Sequence, residues 1–218
     1  TDTINIQING AVSAGEDIEL RTSSGDNNVT SINSGNITVD ANLTAASDVR
    51  VYAGGEDSGT NLYAQDINDS NNIAVNANIS AGYTASINAG AIGANITNSA
   101  NVTVDANITS GTSTSVSTQY VGENIQNSAN VIIDANVSAG NDINIGTFSL
   151  TNDGNLSNSA NISVNADLNS SEDIQLTNFS FGEDAYASNL SESNSNNIEI
   201  NSSVTATRDI DISHIRFG

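Results

Sequence analysis

The chain has no cysteine, proline, methionine, tryptophan or lysine, and only 4% of its residues are aromatic. Each absence removes a class of protein. Without cysteine there are no disulfide staples, and with a single histidine, His214, no Cys/His zinc site can be assembled. Ser-His-Asp catalysis would rest on His214 alone, which reads instead as a surface or subunit-contact histidine. The only basic residues are Arg21, Arg50, Arg208 and Arg216, against 25 Asp and Glu, for a net charge of −21. Phosphate neutralisation needs clustered cations, so nucleic acid is excluded as a partner and an anionic membrane surface is repelled. No apolar run approaches the roughly 18 residues that span a bilayer, so membrane insertion is not expected. With no methionine anywhere, Thr1 is not expected to be a translation start, and the chain reads as a processed exported protein or a piece of a longer one.

Asn, Ser, Thr, Ala and Gly dominate what is left, around a 37% hydrophobic fraction. Large core side chains are too few for an ordinary globule. A low apolar content with a high net charge also describes disorder, but here the apolar residues are placed regularly. Asn5, Asn36, Asn72, Asn101, Asn130, Asn161 and Asn197 each open the same frame, so successive units are 31, 36, 29, 29, 31 and 36 residues long by subtraction. Units of that length predict stacked solenoid coils, and no composition break divides the array, so residues 1–218 read as one domain of seven repeats.

Counting the residue after each asparagine as position zero, Ile, Val or Leu recurs at positions zero, two, six and fourteen in every unit, from Ile6 and Ile8 to Val204 and Ile212. Position eight holds only Ala or Ser, and position twelve only Ile, Val, Ala or Thr. Alternating fixed and free positions are the period of a strand with one buried face. This predicts three short strands per unit, beginning six residues apart, with length changes in loops after position fourteen. Ile67, Ile96, Ile125 and Leu156 extend the six-residue step backwards, opening phrases such as I-T-N-S-A-N. The pattern points to an all-β fold, a parallel β-helix of about seven coils. An antiparallel sandwich or meander, with positions zero to eight as one straight strand turning at glycine, is the alternative. Identical columns gain most when stacked in register, which favours the helix. The absence of proline agrees, because each central strand N–H would donate to a neighbouring coil.

The seven asparagines are expected to form a corner ladder, each tolerating positive φ and bonding through its amide to the next coil. A second, looser column at position five runs through Asn42, Asn78, Asn107 and Asn136 to Asp167 and Ser203. Carboxylates also form columns: Asp142, Asp173 and Asp209 at position eleven, and Asp105 and Asp134 at position three. Rows of like charge at coil spacing require a bound cation, a raised pKa or hydrogen bonds to backbone. The first makes these five residues candidate calcium ligands; the last makes each Asp a cap on its own corner. No other cofactor is implied.

The run S-L-T-N-D-G-N-L-S-N-S-A-N-I-S-V-N-A-D-L (149–168) and the phrases V-D-A-N-L-T-A-A-S-D-V-R-V and I-D-A-N-V-S-A-G-N-D-I-N-I resemble the repeats of filamentous-haemagglutinin-type adhesins. The resemblance covers all seven units and implies a secreted, right-handed β-helix on a bacterial surface. It carries over no catalytic residue, and nothing here resembles that family's N-terminal secretion domain.

Repeat one begins within five residues of Thr1 and repeat seven ends near Ile212, so neither end is expected to carry a polar cap. Open ends of opposite polarity would join head to tail, a contact that propagates. The expected function is a structural subunit of an extracellular filament, binding copies of itself through Ile4, Ile6, Ile215 and Phe217. An adhesin or stalk fragment of a longer surface protein is the second reading, and a polysaccharide-active enzyme the third. Glycans and other surface molecules are further expected partners. Fifteen N-x-[S/T] sequons occur, a number that a chain so rich in Asn, Ser and Thr makes by chance.

Overall fold

A computed structural model describes residues 5–22, 30–54, 64–151, 154–182 and 191–217. The described chain is all strand and turn, wound into seven coils that stack in register. The first sheet takes one three-residue strand per coil, from Ile6–Ile8 and Ile37–Val39 to Ile198–Ile200. The second runs likewise from Val12–Ala14 to Val204–Ala206. The third is built on Ile18–Thr22, Val49–Ala53, Ala85–Thr97, Thr114–Gln126, Ile143–Thr151, Ile174–Gly182 and Ile210–Phe217. Every neighbouring pair is parallel, and each column meets its own kind one coil away, as in Ile79↔Ile108 and Val102↔Val131. The parallel β-helix is therefore the fold, and the antiparallel alternative falls.

Positions zero, two, six, eight, twelve and fourteen point inward. Ile37, Val39, Leu43, Val49 and Val51 are buried in coil 2, as are their counterparts through coil 6. Each fully buried Ile or Leu contributes about 1.5–3 kcal/mol. Because a β-helix buries only one side chain in two, Ile, Val and Ala suffice to fill its narrow section.

The third face departs from the expected pattern. The segment after position fourteen is not a loop in coils 3 and 4: Ala85–Thr97 and Thr114–Gln126 each run thirteen residues without a break. Inward residues alternate up to Gly93, and the register then skips from Gly93↔Gly122 to Asn95↔Asn124 as the chain turns. Past that bend Ile67, Ile96, Ile125 and Leu156 face the core, all at most 2% exposed, and close the section. A 29-residue unit is thus a complete coil, and the longer units carry two or seven extra residues (31 − 29 and 36 − 29). The seven-residue additions correspond to the stretches around 55–63 and 183–190, outside the described residues.

Candidate functional site: ladder corners, groove and coil edges

The corner before position zero is a four-residue signature, Asn98-Ser99-Ala100-Asn101 in coil 4, that recurs six times. Two of its residues take left-handed φ: the first (Asn33, Asp69, Asn98, Asn127, Asn158, Asn194) and the third (Gly35, Asn71, Ala100, Ala129, Ala160, Asn196). None of the seven ladder asparagines does, so the expectation that they hold the positive φ is corrected: the strained positions lie one and three residues earlier. Alanine at φ near 55° is costly for an L-residue, yet Ala100, Ala129 and Ala160 are fully buried, and the N–H of each donates to a serine carbonyl one coil behind.

All four N–H groups of this corner find acceptors. The N–H of Asn98 donates to the Gln126 carbonyl and that of Ala100 to the Ser70 carbonyl. The N–H of Ser99 donates to Ser128 Oγ at 3.1 Å, one coil ahead. The N–H of Asn101 donates to Asn72 Oδ1 at 2.9 Å, one coil behind. The same asparagine bond runs unbroken from Asn36–Asn5 to Asn197–Asn161. Each amide also donates forward: Asn72 Nδ2 to the Asn98 carbonyl at 3.0 Å, Asn101 Nδ2 to that of Asn127 at 3.1 Å. Two ladders of opposite sense, serine inside and asparagine outside, therefore tie each coil to both neighbours. The serine row (Ser34, Ser70, Ser99, Ser128, Ser159, Ser195) was missed as a functional column, although the repeated N-S-A-N phrase carried it. The carbonyl of the third corner residue turns inward, where Thr118 Oγ1 donates to Ala129 O at 2.7 Å and Thr147 Oγ1 to Ala160 O. His214 stands in the same column of coil 7, with Nδ1 3.1 Å from the Asn196 carbonyl.

The position-five column forms a second ladder: Asn42, Asn78, Asn107, Asn136 and Asp167 each accept, through Oδ1, the N–H of the residue one coil on. Position eleven forms a third. The N–H of Asp48 donates to Asp17, that of Thr84 to Asp48, that of Asp173 to Asp142 and that of Asp209 to Asp173. These aspartates cap the next coil's corner rather than their own. Arginine completes the row: Arg50 reaches Asp17 and Asp48, and Arg208 reaches Asp173 and Glu172. The Asp48 N–H, with Ser47 and Arg50, lowers the Asp17 pKa; the Arg208 guanidinium, with the Asp209 N–H, lowers that of Asp173. The guanidiniums of Arg50 and Arg208 are raised in turn by Asp17 and Asp173.

Of the calcium candidates, Asp142, Asp173 and Asp209 share one row and Asp105 and Asp134 sit on adjacent coils of another. Asn165 Nδ2 donates to Asp134 at 2.6 Å. In that same row Asp40 accepts from Asn76 and Gln7, which lowers its pKa. Among the described residues no three Asp, Glu or His side chains are grouped to hold a metal ion.

Of the junction candidates, Ile6 lies half-buried in the first coil, and Ile4 is outside the described residues. Ile215 pairs in register with Phe179, which places it on the outer face of the third sheet and not in the core section. The backbone of Phe217 pairs with that of Phe181. The core side chains that the coil-7 edge presents are Ile210 and Ile212, 47% and 50% exposed, with Ile198, Ile200, Val204 and Ala206 half-buried beside them.

One groove of about 520 Å³ runs along the first corner across coils 1 to 4. Its lining holds one carboxylate, Asp69, and no arginine. A smaller hollow of about 130 Å³ lies on the third sheet around Gly146.

Comparison with family models, with curated proteins and with solved structures finds no match to this chain.

Proposed function

We propose that the protein is a structural building block of an extracellular filament or surface fibre, in which coil stacking continues from one copy to the next. The observation that carries this reading is the correspondence between the two outermost coils. The coil-7 edge offers Asn197 and Asp209 as the next rungs of two ladders, and the coil-1 edge begins the same columns with Asn5 and Asp17. Ile198 would meet Ile6, Val204 would meet Val12, and Ile210 would meet Ile18, extending three core columns in register. Column ten adds charge complementarity: Arg208 at the coil-7 edge, held on one side by Glu172, would face Glu16 on the other. Where no other segment covers them, unpaired strand edges and exposed core side chains drive such pairing, and a heterologous contact of this kind does not close. This reading gives the protein no catalytic role and makes a second copy its main partner. Calcium stays an additional proposal, as a screen for the carboxylate rows at position eleven.

An adhesin or stalk segment is the second reading, in which flanking repeats of a longer polypeptide cover the same two edges. Electron microscopy of the purified 218-residue chain across a concentration series tests the first. Unbranched fibres of one coil's width are expected, and Ile212→Asp should abolish them. Single short rods at every concentration would overturn it.

A further inference from the structure

The groove along the first corner has features that the filament reading does not use. Asn33, Asp69 and Asn98 form one wall, and Thr38, Ala74 and Thr103 the other, with the ladder amides as floor. The floor is committed to the coil-to-coil bonds, and so is part of the first wall, where Asn98 Nδ2 donates to Asp69 Oδ1. Asp69 Oδ2 and the hydroxyls of Thr38 and Thr103 have no partner among the described residues. Thr38 and Thr103 stand two coils apart, one on each side of Ala74, so their spacing is roughly two coil steps of about 4.8 Å, close to the length of two pyranose rings in an extended β-linked chain.

The groove is also bounded by sequence. Position one, which builds the second wall, reads Gln7, Thr38, Ala74, Thr103 and then Ile132. The lining stops at coil 4, and Ile132, 37% exposed, occupies the column in coil 5. Ala74 is the smallest side chain in the column and widens the middle. On a chain of net charge −21, a strip with one carboxylate among fourteen lining residues favours an uncharged ligand, since an anionic one is repelled by the rest of the surface.

We infer that this groove binds an uncharged, extended polysaccharide chain laid along the coil axis, held by Asp69 Oδ2 on one wall and, on the other, by the Thr38 and Thr103 hydroxyls, which match every second sugar ring. The lining contains no aromatic ring, so each site is weak and strength comes from many coils engaging one polymer. The inference does not depend on filament formation, because the groove lies within four coils of one chain.

The test uses the whole chain, labelled with ¹⁵N, titrated with cellohexaose, chitohexaose and laminarihexaose. The variant is Ala74→Ile with Thr103→Ile, which repeats in coils 3 and 4 the residue that coil 5 already carries at that position. At least one hexasaccharide is expected to shift the amide signals of Thr38, Ala74 and Thr103, with dissociation constants on the order of 0.1–1 mM, and the variant to bind at least tenfold more weakly. A circular dichroism spectrum equal to the parent's separates blocking from misfolding; a variant that misfolds is replaced by Ala74→Ile alone, from which the same loss is expected. No shift with any of the three sugars overturns the inference, as does equal binding by the folded variant or shifts confined to the third sheet. Fibres that form without sugar binding would leave the filament reading intact and remove this one.

Discussion

Strands of the first two sheets are three residues long in every coil, whereas the seven on which the third is built run from five residues to thirteen. The first two are short because a side-chain ladder stops each of them at a corner. The third has no such corner before its bend, and its length, outer residues and insertions all vary. Its outer face gathers the aromatic contacts: Phe148 and Phe179 stack on adjacent coils, with centroids 5.8 Å apart, and Arg21 lies over the Tyr52 ring at 5.4 Å. The contrast shows where the repeat is constrained. A corner must satisfy backbone N–H groups that no strand can reach, so its residue types are fixed; the outer face of a sheet already has its ladder bonds and accepts almost any side chain.

The sharpest way to break the comparison is to remove one rung from the buried row. Ser128→Ala leaves the Ser99 N–H without an acceptor where both serines are fully buried, and also removes the hydroxyl that donates to the Gln126 carbonyl. A loss of about 2–4 kcal/mol is expected in urea unfolding. Ser117→Ala on the outer face of the third sheet, 11 residues earlier in the chain, should stay within about 0.5 kcal/mol; equal losses would dissolve the distinction.

Two glycines give the next effect. A Cβ on Gly140, at the corner between the second and third sheets, would lie 2.0 Å from the Gly111 carbonyl oxygen, while one on Gly146 would meet nothing closer than Thr177 O at 3.4 Å. Ser171 fills the Gly140 column one coil on, and there the N–H to Ala139 O bond lengthens to 3.4 Å, against 3.1 Å at Gly140. Gly140→Ala is expected to cost about 1–3 kcal/mol and Gly146→Ala to be neutral within about 0.5 kcal/mol, read from thermal unfolding of the two variants side by side.

The smallest effect concerns the charged corner. The folded-state pKa of Asp173 lies below its unfolded value, so the stability it brings is present above the unfolded value and is lost as pH falls through the folded one. Asp173→Asn should therefore be less stable than the parent at pH 7, with the gap closing in acid below the ordinary aspartate range. Because the pair is solvent-exposed, the gap should also shrink in high salt. A gap that persists unchanged at pH 2 would mean that the carboxylate charge of Asp173, and with it the Arg208 contact, contributes nothing.

Much of this architecture was legible in the chain. Ile37, Val39, Leu43, Ala45, Val49 and Val51 were marked as one coil's inward set by alternation alone, and all six are buried. Ile96 and Ile125 were marked by their six-residue offset. The third-face strands were harder: Ser86 to Ala91 alternates, but Gly90, Gly93 and the small side chains around them read as a loop, since nothing local reveals that a neighbouring coil supplies every backbone partner. The positive φ was assigned to the ladder asparagine because it recurs most strictly, while the left-handed residue just before it is alanine in three coils, a residue type that sequence reasoning does not place there. The groove was invisible, for each wall takes one residue per coil, successive ones at least 29 positions apart and joined only by stacking.

The sequence by itself determined the period, the inward columns and the identity of the corners, because those follow from which residues recur and at what interval. Only the tertiary structure decided which N–H each serine and aspartate serves, that left-handed turns fall on Ala100, Ala129 and Ala160, and which residues line the groove along the first corner. The physical reason is that every one of these depends on a partner one full coil away. Repetition in sequence announces that such a partner exists, and the direction of each bond is set only when the coils are laid on one another.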